Sequence, residues 1–233
     1  MCTVSYLPLG NNNFILTSNR DESPMRKTLP PTSYDENGVK IIYPKDKLAG
    51  GTWIGVSDKN RLVCLLNGGF TRHKRNEYYK MSRGIIVKKI LSCNDAVAFV
   101  NDFDFKEIEP FTIVLVDWNL TLKTYELVWD GEKKHFKKLK QEPKIWSSST
   151  LYTEEMKQQR ESWFVDWLKE NTEFHQSEIL KFHQLETGKP EVDIKMKRTF
   201  VETVSITSVK KSLEKTTISY RDFITNSLVK VDV

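Results

Sequence analysis

Apolar residues in this chain repeat with strand-like and helix-like periods in separate blocks, not in strict alternation. Short segments at Cys2–Leu7, Phe14–Asn19, Thr52–Ser57 and Leu62–Asn67 carry strand-type residues and are broken by the turn sequences GNNN, DENG and SDKN. Four strands are predicted there. Residues 23–38 hold Pro24, Pro30 and Pro31 and read as a long connection. From Asn76 the period lengthens: NEYYKMSRGIIVKKILS and CNDAVAFVND predict two helices, the second starting at an Asn/Asp cap.

Strand character returns in PFTIVLVDWNLTLKTYELVWDG, a hairpin expected to turn at Asp117–Asn119. KHFKKLK at 134–140 alternates and suits an edge strand, whose lysines discourage further pairing. TEEMKQQRESWFVDWLKEN is an amphipathic helix with Trp163, Phe164, Trp167 and Leu168 on its apolar face. QSEILKFHQLE predicts a second helix, and TFVETVSITSVKKSLEKTTISY a closing hairpin. Blocks of strands and helices in this order predict α+β layering, with residues 1–233 as one domain.

Charge and hydropathy exclude several function classes. The net charge of +5 comes from 36 basic and 31 acidic residues spread along the chain, without the dense basic stripe of a nucleic-acid binder. The longest apolar run, FTIVLV at 111–116, is too short to span a bilayer, so no stable membrane insertion is expected. The N-terminus lacks the pattern of a secretory signal, and a cytoplasmic location is expected. Cys2, Cys64 and Cys93 make an odd count without paired spacing, and His73, His135, His175 and His183 share no metal spacing. Cys64 and Cys93 read as packing residues. No metal or cofactor is expected, and the composition is compatible with a homo-oligomer.

Cys2 is different because of what surrounds it. If Met1 is removed, Cys2 carries a thiol nucleophile and a free α-amine that can act as its base. Such a site needs a cation, an acceptor to orient the amine, and donors for the oxyanion. Arg20 and Asp21, in the run SNRDE, supply the first two, and a hairpin pairing Cys2–Leu7 with Phe14–Asn19 would return them to the level of Cys2. Asn67, before Gly68 and Gly69, is an amide donor suited to the third role. Asn19, Glu22, Trp53 and Gly68 complete the neighbourhood as substrate-binding or supporting candidates.

Five landmarks occur in order: the initial Met–Cys, NRDE, GGTW–GV, the LN–GG strand end and SRG. In these the chain resembles the NRDE family, also called the transport-and-Golgi-organisation family, firmly over about the first 85 residues and more loosely in WSSSTLY, RESWF and VETVSITS. That family resembles the bile-salt hydrolase and penicillin acylase branch of the N-terminal nucleophile hydrolases. The resemblance implies a four-layer αββα sandwich, two antiparallel sheets flanked by helices. It also implies Cys2 as nucleophile, Arg20 and Asp21 as the paired arginine and aspartate, and Asn67 as an oxyanion amide. The second oxyanion asparagine of the acylases is replaced here by the run Ser147–Ser149, with Ser148 the candidate donor; Arg160 resembles their second active-site arginine.

Two functions follow as expectations. One is a cysteine amidohydrolase that cleaves a non-peptide C–N bond in a small-molecule amide through a Cys2 thioester. The other, implied by the family's links to haem and lipid, is a non-catalytic carrier of haem, lipid or acyl-CoA. No Cys-Pro or closely spaced His motif for haem occurs in the chain.

Overall fold

In the computed structural model, the described residues are Thr3–Leu213 and Lys215–Val233, and Cys2 lies outside them. They form thirteen strands and four helices, in two compact units. One unit comprises the chain up to Arg26 together with Glu142–Asp232, and the other comprises Lys27–Gln141. Every recorded strand pairing in both sheets is antiparallel. No helix among the described residues is long and apolar enough to cross a membrane.

The first unit holds a six-stranded sheet of order β10-β1-β2-β11-β12-β13. Its strands are β1 (Thr3–Gly10), β2 (Asn13–Glu22), β10 (Lys144–Ser147), β11 (Glu202–Ser212), β12 (Lys215–Asp222) and β13 (Ser227–Asp232). The helices α3 (Glu154–Glu170) and α4 (Gln176–Phe182) cover one face. There Leu7, Ile15 and Ile145 of the strands pack with Phe164 of α3 and with Ile179 and Phe182 of α4. Trp163, Trp167 and Leu168 pack against the same cluster, as the amphipathic pattern of α3 predicts.

The second unit is a seven-stranded meander, β3 to β9 in chain order. Its strands are β3 (Thr28–Glu36), β4 (Val39–Asp46), β5 (Ile54–Ser57), β6 (Arg61–Asn67), β7 (Phe111–Asp117), β8 (Lys123–Trp129) and β9 (Lys134–Leu139). The helices α1 (Arg83–Ser92) and α2 (Ala96–Asp102) lie between β6 and β7 in the chain. Cys64 is fully buried in β6, whereas Cys93 is the half-buried C-cap of α1. The lysine-rich β9 is one of the two sheet edges, as its sequence predicts.

Two local expectations are corrected. The connection 23–38 instead contains β3, which turns through Asn37 and Gly38 at positive φ and pairs with β4. The prolines do not break this strand because β3 is an edge and its register shifts between Leu29 and Thr32. A missing N–H is tolerated at an edge or bulge. The first helix starts at Arg83 rather than Asn76, where the Ser82 hydroxyl accepts from Gly84 N. β4, β10 and β13 also lie outside the predicted elements: β4 follows directly on the DENG turn, β10 is four residues long and β13 is an exposed edge.

Two of the family landmarks meet in the second unit. A Cβ at Gly84 would lie 2.9 Å from both the nitrogen and the carbonyl oxygen of Thr52. A Cβ at Gly51 would lie 2.9 Å from the Gly84 carbonyl carbon. The glycines of GGTW and SRG therefore let the start of α1 rest directly on the backbone before β5. We expect Gly84→Ala to cost about 1–3 kcal/mol, as overpacking against backbone does. Urea denaturation of the variant measures this, and an unchanged midpoint would refute it.

Candidate active site

The NRDE run lies inside β2, with its residues divided by the strand's alternation. Asn19 pairs with Thr3 on β1 and with Ile206 on β11, while Arg20 pairs with Ser205. Arg20 is 2% exposed and Asp21 is 2% exposed, so both charges sit inside the protein. Side chains of Asn19 and Asp21 point to the helix-covered face, with Arg20 on the other.

Asp21 is held by two hydroxyls: Tyr152 donates to Oδ2 at 2.9 Å and Thr203 to Oδ1 at 2.6 Å. Arg20 Nη1 donates to the Arg26 carbonyl at 3.4 Å. On its side of the sheet, Tyr220 donates to Asp222 at 3.0 Å. Burial pushes the Tyr220 phenol up, and the nearby Arg20 guanidinium is among the influences opposing that shift. Glu22 ends the strand: its carboxylate accepts from Ser23 N at 3.0 Å and pairs with Arg26 at 3.2 Å. It fixes the turn that leaves β2.

Arg160 is fully buried and spends all five of its N–H donors. Nε donates to Val192 O at 2.8 Å, and Nη1 to Thr3 Oγ1 at 2.6 Å and Ser147 Oγ at 3.4 Å. Nη2 donates to Asp193 O at 2.6 Å and Ile194 O at 3.3 Å. The guanidinium lies 3.7 Å from the centroid of Tyr152, the ring whose hydroxyl reaches Asp21. Arg160 therefore acts on the site through Thr3 and Tyr152, with no donor left for a substrate. Ser148 is buried at the turn into α3, bonded to Thr150 at 2.9 Å, and its carbonyl accepts from Tyr152 N at 3.1 Å.

Asn67, Gly68 and Trp53 belong to the second unit. Asn67 is the half-buried last residue of β6, opposite Phe111. Gly68 follows at φ 88°, donating to Pro110 O at 2.9 Å and accepting from Thr112 Oγ1 at 3.0 Å. That anchored positive-φ turn ends the strand at Asn67. Trp53 is 2% exposed beside β5, and its carbonyl accepts from Leu65 N at 2.7 Å. Its backbone role is structural.

Sequence reasoning missed three contributors. Tyr152 and Thr203 lie in segments quoted for the resemblance, yet nothing in their spacing ties them to Asp21. His183 is a lone histidine in KFHQLE and is buried completely, with ring nitrogens 2.7 Å from Ser5 Oγ and 2.6 Å from Asn19 Oδ1. Its pKa is held down at about 3, first by burial and then by the Arg160 charge.

Two outcomes are expected. Arg160→Lys replaces a stacked five-donor fork by a three-donor point charge and should cost about 3 kcal/mol, read by urea denaturation. For His183, the unfolded chain binds a proton near pH 6.5 that the folded chain refuses until about 3. Stability should therefore fall as pH drops from about 6.5 toward 3, by up to ~1.4 kcal/mol per unit from this group. Denaturation midpoints at pH 7.5 and pH 5 test this; the His183-dependent part must vanish in His183→Leu.

The comparisons with known proteins agree with this architecture. A Caenorhabditis elegans N-acylethanolamine-hydrolyzing acid amidase ortholog is 15% identical, with a TM-score of 0.59 over 89% of this chain and 92% of its own. A mutant of the conjugated bile acid hydrolase from Clostridium perfringens is 11% identical, with a TM-score of 0.64 over 100% of this chain and 92% of its own. Penicillin V acylase from Agrobacterium tumefaciens is 8% identical, with a TM-score of 0.51 over 100% and 86%. At such identities the likeness shows the fold alone, the αββα sandwich of two antiparallel sheets flanked by helices. No curated protein matches the chain by sequence. The model of the family described as Transport and Golgi organisation 2 matches residues 1–226, and the chain belongs to that family.

Proposed function

We propose that this chain is a cysteine N-terminal nucleophile hydrolase that cleaves a carbon–nitrogen bond, other than a peptide bond, in a small linear or cyclic amide. The observation that carries the reading is the pair of hydroxyls fixing the buried Asp21 carboxylate, one residue from Arg20 and beside the strand that follows Cys2. A buried carboxylate oriented in this way suits the holding of an α-ammonium group. The fold shared with an acid amidase, a bile acid hydrolase and a penicillin acylase supports the same chemistry.

Removal of Met1 makes Cys2 the first residue. Its α-amine takes the thiol proton as sulfur attacks the amide carbonyl, forming the S–C bond and an oxyanion. Arg20 stabilises the thiolate, and the family resemblance assigns the oxyanion to the Asn67 amide. The C–N bond then breaks, and the amine leaves with the proton held by the α-ammonium. Water attacks the thioester, giving its proton to the α-amine; the C–S bond breaks, and a carboxylic acid and the free thiol result. Asp21 orients the α-amine through both halves, with Tyr152 and Thr203 restraining its carboxylate.

The test is intact-mass analysis of the purified protein, followed by incubation with penicillin V, a glycine-conjugated bile acid and an N-acylethanolamine. Expected are a mature mass lacking Met1 and an acyl adduct on the Cys2 peptide. Cys2→Ala should abolish the adduct and lower turnover by roughly 10³-fold or more, and Asn67→Ala should lower it by about 10²-fold or more. A mature protein that keeps Met1 ends this mechanism. Saturable haem uptake without turnover would put the carrier reading in its place.

A further inference from the structure

The proposed reaction uses no histidine, yet His183 is locked into a hydrogen-bonded series with a defined direction. Asn19 Nδ2 donates to two backbone carbonyls, His183 O at 3.0 Å and Ile194 O at 2.8 Å. Carbonyls only accept, so the amide is oriented with Oδ1 toward the ring, where His183 Nδ1 lies at 2.6 Å. Nδ1 must then carry the proton. In the neutral ring Nε2 is left as an acceptor, and the Ser5 hydroxyl donates to it at 2.7 Å. The order is hydroxyl, imidazole, amide, as in a nucleophile, base and orienter. All three residues are 0% exposed, so no substrate reaches them.

The value of the series lies in what it ties together. Ser5 is on β1, Asn19 is on β2 and His183 is the C-cap of α4. Thr3, Ser5 and Asn19 point to the helix-covered face, and Arg160 bonds Thr3 from α3. Asn19 and Arg160 also share the Ile194 carbonyl, so both clamp the segment before β11. Cys2 precedes Thr3 in the chain and Arg20 follows Asn19. The hairpin end that carries the proposed chemistry is thus fastened from behind.

We propose that His183 is a positioning residue for the Cys2 site, which it serves by fastening Ser5 of β1 and Asn19 of β2 in one register. This rests on the hydrolase reading above. The ring touches neither substrate nor reacting atom. Its loss leaves a buried hydroxyl and a buried amide oxygen without their partner, and a displacement of about 1 Å at a reacting pair costs ~10²-fold. The nearby Arg160 charge, like burial, favours the neutral ring.

The test has two arms on the full-length protein. In the first, nitrogen-15 NMR of histidine-labelled protein should show one ring neutral at pH 5, with Nδ1 protonated and Nε2 bare. An Nε2–H tautomer or an imidazolium there overturns the assignment. In the second, iodoacetamide labels Cys2, and mass spectrometry follows the rate across pH 6–9. His183→Leu should slow Cys2 labelling by about tenfold and move the midpoint of the rate–pH curve. Ser5→Ala, the milder variant should His183→Leu fail to fold, should act in the same direction.

The control is Thr17→Val, which removes an equally buried β2 hydroxyl bonded to Ser208 at 2.9 Å. Equal slowing in Thr17→Val and Ser5→Ala reduces His183 to ordinary core packing and overturns the proposal, as does an unchanged rate in His183→Leu. Wild-type Cys2 that reacts no faster than Cys93 overturns the hydrolase reading and the positioning role with it, whatever tautomer the ring shows.

Discussion

A guanidinium with no carboxylate beside it organises the first unit. Among the described residues no acid pairs with Arg160, although it is fully buried. Burying an isolated cation carries a large desolvation cost, which falls only when every donor finds an oxygen. Arg160 meets that condition with three backbone carbonyls, two hydroxyls and the face of Tyr152. Each partner is thereby fixed: the segment 192–194, the start of β1, the end of β10 and the ring that reaches Asp21. The requirement to satisfy one charge sets the geometry of four separate stretches of chain.

The same logic explains why the motif residues divide. Neighbours on a strand face opposite ways, so the adjacent Arg20 and Asp21 cannot share one environment. Asp21 is drawn into the polar network under the helices, with Tyr152 and Thr203, while Arg20 faces the side of Tyr220. Arg160, expected to resemble the acylases' second active-site arginine, spends its donors on backbone carbonyls and hydroxyls. Function at such a strand end depends on a backing layer as much as on the residues that would meet a substrate.

Much of the fold was legible because its signals are local. The central strands β6 and β7 are continuous apolar runs, α3 shows its stripe of Trp163, Phe164 and Trp167, and the lysines of β9 mark an edge. Pro30 and Pro31 misled because proline is read as a breaker, and only the pairing with β4 shows that β3 is an edge with a register shift there. The start of α1 misled because NEYYK has helical composition, whereas Ser82 supplies the capping oxygen.

By itself the sequence determined the class of the sheets and helices, the membership of the chain in its family, and the residue types available at the candidate site. Periodicity, turn chemistry and ordered motifs are short-range properties, and they survive in a linear string. Only the tertiary structure decided that Tyr152 and Thr203 hold Asp21, that Arg160 is a support, and that His183 bridges Ser5 and Asn19. Those partners lie 131, 182, 157, 178 and 164 residues apart along the chain. No spacing rule connects positions so distant. The need to pair every buried donor and acceptor does so, and that need arises only once the chain has folded around them.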